Sequence, residues 1–182
     1  MKLKPAMKAR IQLLVSVALF ALQINASAGN FYTGLFNSPR GFGLSIDYTT
    51  KSDIRNSFTV YADIYKLTDG STAYPGIKIV YLHYNRIGGI SGTHATYDLF
   101  IAPGFSTGYA LDKDKEYPGI VTAADLSFAM RMVPQKHFEL EFGVLTEIGL
   151  ISGVGKGGTQ TGIYSNGLIQ SLYPIIKIMY RF

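Results

Sequence analysis

An eight-stranded antiparallel up-and-down transmembrane β-barrel is the fold class this sequence predicts, on three observations. Apolar residues make up 47% of the 182-residue chain and charged residues only 16%. Soluble domains carry about 25% charge, so too few ionic groups are present to cover an ordinary solvated surface. Segment after segment alternates apolar and polar residues with period two, the spacing that sends successive side chains to opposite faces of a strand. The segments also run to about 10 to 14 residues, where tilted membrane strands need roughly 9–11 and soluble strands have about 5–6. The 13 Tyr, 11 Phe and 20 Gly are a composition for strands and turns. The length fits one domain plus a targeting piece.

The targeting piece comes first. Lys2, Lys4, Lys8 and Arg10 precede an apolar stretch from Ile11 to Ile24, and Ala26-Ser27-Ala28 has the small residues of a cleavage site, so residues 1–28 read as a secretory signal peptide. The apolar stretch is shorter than the roughly 20 residues that span a bilayer as a helix. Residues 29–182 then form the barrel domain. Four of the 17 Lys and Arg lie in the leader, so the remainder nearly balances the 12 Asp and Glu. Without a dense basic stripe to neutralise phosphates, a nucleic-acid partner is not expected. The absence of cysteine excludes a disulfide scaffold, a thiolate metal site and a cysteine nucleophile.

Strand one is placed at 30–37 and strand two at 40–50, where Phe42, Leu44, Ile46 and Tyr48 oppose Gly43, Ser45 and Asp47. Strand three, 56–66, sets Phe58, Val60, Ala62 and Ile64 against Thr59, Tyr61, Asp63 and Tyr65. In strand four, 76–87, Lys78 and Arg86 share parity with Val80, Leu82 and Tyr84, and both cations are expected to snorkel at the membrane edges. Strand five, 94–106, opposes Tyr97, Leu99 and Ile101 to Asp98 and Ala102. Strand six, 118–132, opposes Leu126, Phe128, Met130 and Met132 to Asp125, Ser127, Ala129 and Arg131. Strand seven, 137–150, sets Phe138, Leu140, Phe142 and Val144 against Glu139, Glu141 and Gly143. Strand eight, 169–182, sets Leu172, Ile176, Ile178, Tyr180 and Phe182 against Tyr173, Lys177 and Arg181.

Alternation alone does not say which face is inside. A soluble sandwich or lipocalin-like barrel would bury the apolar face, whereas a membrane barrel turns it to lipid. The many Gly, Ala and Ser on the polar face suit a crowded lumen and favour the second arrangement. That lumen would hold Asp47, Asp63, Asp98, Asp125, Glu139, Glu141 and Glu147 against Arg131, Lys177 and Arg181, with His83 and His137 on the same parity. Eight strands leave an interior that side chains fill. Its charges must therefore be paired, and a Glu/Lys/Arg network is expected where strands seven and eight bring Glu139 and Glu141 beside Lys177 and Arg181. The surplus of acids would then require lumenal water or protonated carboxyls.

The chain ends on Ile176, Ile178, Tyr180 and Phe182, alternating from a C-terminal aromatic. This run resembles the assembly signal of Gram-negative outer-membrane β-barrels, and the length is similar to that of their small eight-stranded members of the OmpX or OmpA transmembrane-domain type. The resemblance implies export through the periplasm, delivery by the barrel-assembly machinery and a monomer among outer-membrane lipid and lipopolysaccharide. It also implies short periplasmic turns, such as Val133 to Lys136, and longer outer loops, such as Tyr109 to Tyr117 and Ser152 to Gly167.

Function is expected in those loops. Asp112-Lys113-Asp114-Lys115-Glu116 between Tyr109 and Tyr117, and the polar stretch Thr68 to Tyr74, are candidates for contact with sugars or a partner surface. A narrow charged channel is the alternative, and a lipid-modifying enzyme a third. Glu139 and Glu141 could act as an acid/base pair, but two residues apart on one strand they equally form a salt-bridge ladder. His83, His94 and His137 lie in three segments without metal-ligand spacing. Ile163-Tyr164-Ser165-Asn166-Gly167 resembles the His-Tyr-Ser-Asn string of lipid A deacylases, with isoleucine at the histidine position. No imidazole is there to activate Ser165, so neither catalysis nor a cofactor is expected. Gly153 to Gly158 is glycine-rich but lacks Walker spacing.

Overall fold

The computed structural model describes residues 31–51, 53–64, 76–93, 95–111, 118–135, 137–155, 157–166 and 173–182. Among these residues nine strands follow in chain order: β1 (Phe31–Ser38), β2 (Gly41–Lys51), β3 (Ile54–Asp63), β4 (Gly76–Ser91), β5 (Thr96–Leu111), β6 (Pro118–Gln135), β7 (Phe138–Gly155), β8 (Gly158–Asn166) and β9 (Tyr173–Arg181). Neighbours in sequence pair antiparallel from β1 through β7. The ring closes because β9 joins β7 on one side and β1 on the other. β8 and β9 share one wall position: β8 pairs with the upper half of β7, from Glu147 to Gly155, and β9 with the lower half, from Phe138 to Leu145. The result is an eight-position antiparallel barrel.

Closure satisfies the backbone between strands and leaves side chains to choose between two faces. On β2, Phe42 and Leu44 point outward while Ser45 and Asp47 are buried. The same division runs around the ring: Phe58 and Val60, Phe105, Phe128 and Met130, Ile148 and Leu150, Ile176 and Ile178 all stand on the outer surface. Large apolar groups outside and polar groups inside invert the arrangement of a soluble domain. At the end carrying Phe31 and Phe182 the outer surface is aromatic. Phe31 meets Tyr48 at 4.7 Å, and Tyr180 contacts Phe138 at 5.4 Å and Phe182 at 5.3 Å, all between ring centroids.

The strands are longer at several ends than alternation predicts. β4 continues to Ser91, β5 to Leu111 and β6 to Gln135, so Val133 and Pro134 belong to a strand instead of a turn. The largest correction concerns 152–167, which the barrel pattern makes a long outer loop. β7 runs to Gly155 and β8 returns from Gly158, which makes a tight hairpin. Its exposed Thr159, Gln160 and Thr161 are polar and break the alternation, although Val154 and Ile163 beside them are exposed. The glycine-rich stretch is this hairpin's tip, where Gly158 adopts φ 105°, a conformation other residues rarely take. The segments 65–75 and 112–117, the leader 1–28 and His94 lie outside the described residues.

Inside, small residues let neighbouring strands and large lumenal side chains fit. A Cβ at Gly34 would strike the carbonyl oxygen of Ile178 and the Met179 sulfur across the β1–β9 seam. Gly34→Val is expected to destabilise the fold by about 1–3 kcal/mol, the usual range for overpacking. Urea unfolding in detergent checks this, and an unchanged midpoint would contradict the close approach at the seam.

Candidate functional site

Side chains on the inward parity assemble two ionic clusters, one above the other along the barrel axis. The lower cluster lies toward the end that carries the termini and is built from β2, β3, β4, β6, β7 and β9. Arg55 donates two hydrogen bonds to Glu139, at 2.6 and 3.2 Å. Arg131 donates to Glu141 at 2.8 Å and its Nε lies 3.5 Å from Glu139. Lys177 Nζ sits 3.6 Å from Glu141 and 3.9 Å from Asp47, and donates to Ser57 and to the Tyr84 hydroxyl. The Tyr84 hydroxyl in turn donates to Glu141 at 2.6 Å. Glu141 thus collects a guanidinium, an ammonium and a phenol while being 0% exposed, the dense pairing a desolvated carboxylate requires. The rings add to this: the Arg131 guanidinium lies 4.3 Å from the Phe100 centroid and that of Arg55 3.8 Å from Tyr32.

The upper cluster joins β4, β5, β6, β7 and β8. Lys78 Nζ reaches Glu147 at 2.5 Å and the Tyr164 hydroxyl at 3.1 Å, and Tyr164 donates to the other oxygen of Glu147. Ser106 donates to Asp125 at 3.0 Å. Arg40, in the β1–β2 turn, donates twice to Asp63 at the end of β3.

Of the ten lumen charges that strand parity selects, Asp47, Asp63, Asp125, Arg131, Glu139, Glu141, Glu147 and Lys177 are buried in these clusters. Asp98 and Arg181 lie instead at the barrel mouth on the termini end. Asp98 accepts from Arg86 at 2.7 Å, and Arg181 stacks its guanidinium 5.6 Å from Tyr32.

Three interior cations escape the alternation, and they remove most of the acid surplus. Arg40 lies in a turn, where parity has no meaning. Arg55 begins β3 just before the expected start, on the same parity as Ser57, Thr59 and Asp63, and a longer reading of that pattern finds it. Lys78, which the pattern sends to a membrane edge, is wholly buried in the lumen. Val80, Leu82 and Tyr84 are buried with it while Ile77 and Ile79 face outward. Strand four is apolar on both faces, so period two does not separate them.

The histidines are corrected too. His83 is on the outer parity, its Nδ1 2.8 Å from Asn56 Oδ1, which also accepts from the Tyr81 hydroxyl. His137 is exposed in the β6–β7 turn and stacks on Tyr180. Among the described residues no group of three or more acids and histidines is placed to hold a metal ion.

The fold and its interior define a class: a closed antiparallel barrel with an apolar exterior and an ion-paired core. No protein-family model matches the chain, and no curated protein matches it in sequence. Among solved structures it is similar to the N-terminal β-barrel domain of Pseudomonas aeruginosa OprF, at 10% identity and a TM-score of 0.56, covering 85% of this chain and 98% of that one. The likeness is one of fold.

Proposed function

We propose that this protein is a small monomeric outer-membrane β-barrel of a Gram-negative bacterium, exported behind residues 1–28, with a structural or surface-interaction role carried by the loops opposite its termini. One observation supports this above all: the large apolar side chains stand on the outside of a closed sheet whose charges are internal. In water such a surface would drive aggregation, whereas in a bilayer it is the solvated face, and closure leaves the ring no open edge in hydrocarbon. The aromatic rim around Phe31, Tyr48, Phe138, Tyr180 and Phe182 fits a membrane interface, and the neighbour's fold agrees with this class. Ile176, Ile178, Tyr180 and Phe182, all outward at the C-terminal end, then serve as the signal read by the assembly machinery. Deleting Phe182 is expected to lower the yield of folded protein in the outer membrane by several-fold. An unchanged yield would separate this terminus from assembly.

The surface role is tested at the loops. Replacing the mixed-charge run Asp112 to Glu116 by Gly and Ser is expected to leave folding unchanged and to weaken binding to lipopolysaccharide-containing vesicles. Equal binding by both forms would contradict it. The lumen argues against the channel alternative, because Arg131, Tyr84, Lys177 and Glu141 meet across the bore and all are buried. Planar-bilayer recordings are expected to be silent. Conductance that vanished in Glu141→Gln or Lys177→Met would establish a narrow path in its place. No catalytic step is proposed. Tyr164, in the string with the deacylase likeness, is held in the lumen by Glu147 and Lys78, and Ile163 faces outward. Overexpression should therefore leave lipid A acyl patterns unchanged.

A further inference from the structure

Across the β6–β7 pair, Asp125 and Glu147 stand directly opposite each other, both buried in the bore. One hydroxyl joins them: Ser106 Oγ lies 3.0 Å from Asp125 and 3.3 Å from Glu147. Its single O–H serves one carboxylate at a time. The stronger partners go to Glu147, where Lys78 donates to one oxygen and Tyr164 to the other. Asp125 forms no ion pair with a cation among the described residues. Its Oδ2 is buried and has no hydrogen-bond partner there.

Among the described residues the neighbouring cations are engaged elsewhere. Lys78 on β4 is held by Glu147 and Tyr164, with its Nζ 5.7 Å from the Tyr61 ring of β3. Arg40 donates to Asp63 and lies 5.9 Å from the Tyr164 ring of β8. Toward the β7–β8 hairpin, Ala110, Val121, Ala123 and Ile151 fill the bore with apolar groups. A carboxylate enclosed without a cation is costly, and two carboxylates sharing one site do not both ionise. Asp47 in the lower cluster is the contrast. Its Oδ2 also lacks a hydrogen bond, but Arg55, Arg131 and Lys177 all stand within 3.9 Å of its carboxylate.

We propose that Asp125 is a neutral carboxylic acid in the folded barrel at neutral pH, with its proton on Oδ2, and that this proton latches the upper wall. The unfolded chain carries this side chain ionised and takes up one proton from water as the barrel closes. Removing the proton sets two anions opposite each other beside one ammonium, at the point where Tyr164 ties β8 to the bore. The base of the β7–β8 hairpin, where Glu147 pairs with Asn166, is thereby proton-sensitive. The latch needs only the packed bore, so it is separable from any role of the outer loops.

Infrared spectroscopy of the protein folded in lipid vesicles at neutral pH tests this, because exposed carboxyls are then ionised and silent in the acid region. A protonated-carboxyl C=O band that shifts when the protein is folded in D2O is expected in the wild type and in Asp98→Asn. It is expected to be missing in Asp125→Asn. Reversible unfolding gives a second readout. From about pH 6 to pH 8, the wild-type equilibrium should move toward the unfolded state about tenfold more per unit rise in pH than that of Asp125→Asn, because the native state holds one proton that the unfolded chain has lost. The histidines titrate in both proteins and cancel. A wild-type spectrum with no such band would overturn the proposal whether or not the variant folds. So would a band that survives in Asp125→Asn, or equal pH slopes in the two proteins.

Discussion

Leu44→Arg and Ile178→Arg are each expected to destabilise the barrel by about 2–4 kcal/mol in a bilayer, the cost of an arginine on the lipid face near mid-membrane. Both side chains stand outward, 54% and 48% exposed, and Leu35 lies between them in the register that joins β2, β1 and β9. A guanidinium at either place would face hydrocarbon with no counter-charge, since the ionic groups of these strands point inward. The measurement is reversible unfolding by denaturant in lipid vesicles. Arginine at Phe182, at the rim, should cost about 0–1 kcal/mol by the same scale. A wild-type stability for Leu44→Arg would mean that this face does not meet lipid.

Glu141→Leu is the second large effect. It removes the acceptor for Arg131 and for the Tyr84 hydroxyl and leaves Lys177 facing Asp47 at 3.9 Å. Breaking one partner of a buried ionic group costs about 3–5 kcal/mol, chiefly because the remaining charge stays desolvated and uncompensated. Adding Lys177→Met should return part of that loss, since it withdraws one of the stranded cations. The double-mutant cycle reads the coupling directly. Additive losses in the two single variants would show that Lys177 and Glu141 do not act as one network.

The periodicity of the sequence is informative wherever one face is apolar and the other polar. Phe42 to Tyr48, Leu126 to Met132, Phe138 to Val144 and Ile176 to Phe182 divide into two faces without ambiguity, because apolar and polar side chains alternate at nearly every step. The signal fails where the lumen itself needs bulk. Val80, Leu82 and Tyr84 fill the bore beside Lys78, so β4 is apolar on both sides and its cation cannot be placed by pattern. It fails again in the β7–β8 hairpin, where Thr159, Gln160 and Thr161 are polar on both faces of β8. The acids of the interior are legible from parity. Their partners are less so, because Arg40 projects from a turn and Arg55 stands at the very start of β3, where a small boundary error hides it. Which carboxylate meets which cation depends on registers across the barrel, such as Arg55 with Glu139, and no local pattern records those.

The lack of native cysteine allows a residue-by-residue test of which face meets lipid. Single cysteines at positions 42 through 48, each carrying a nitroxide, are scanned in vesicles for collisions with lipid-dissolved oxygen. High oxygen access is expected at Phe42, Leu44, Ile46 and Tyr48 and low access at Gly43, Ser45 and Asp47. Low access at Leu44 with high exposure of Ser45 to a water-soluble relaxant would refute the membrane barrel, for the apolar face would then be the core of a soluble one.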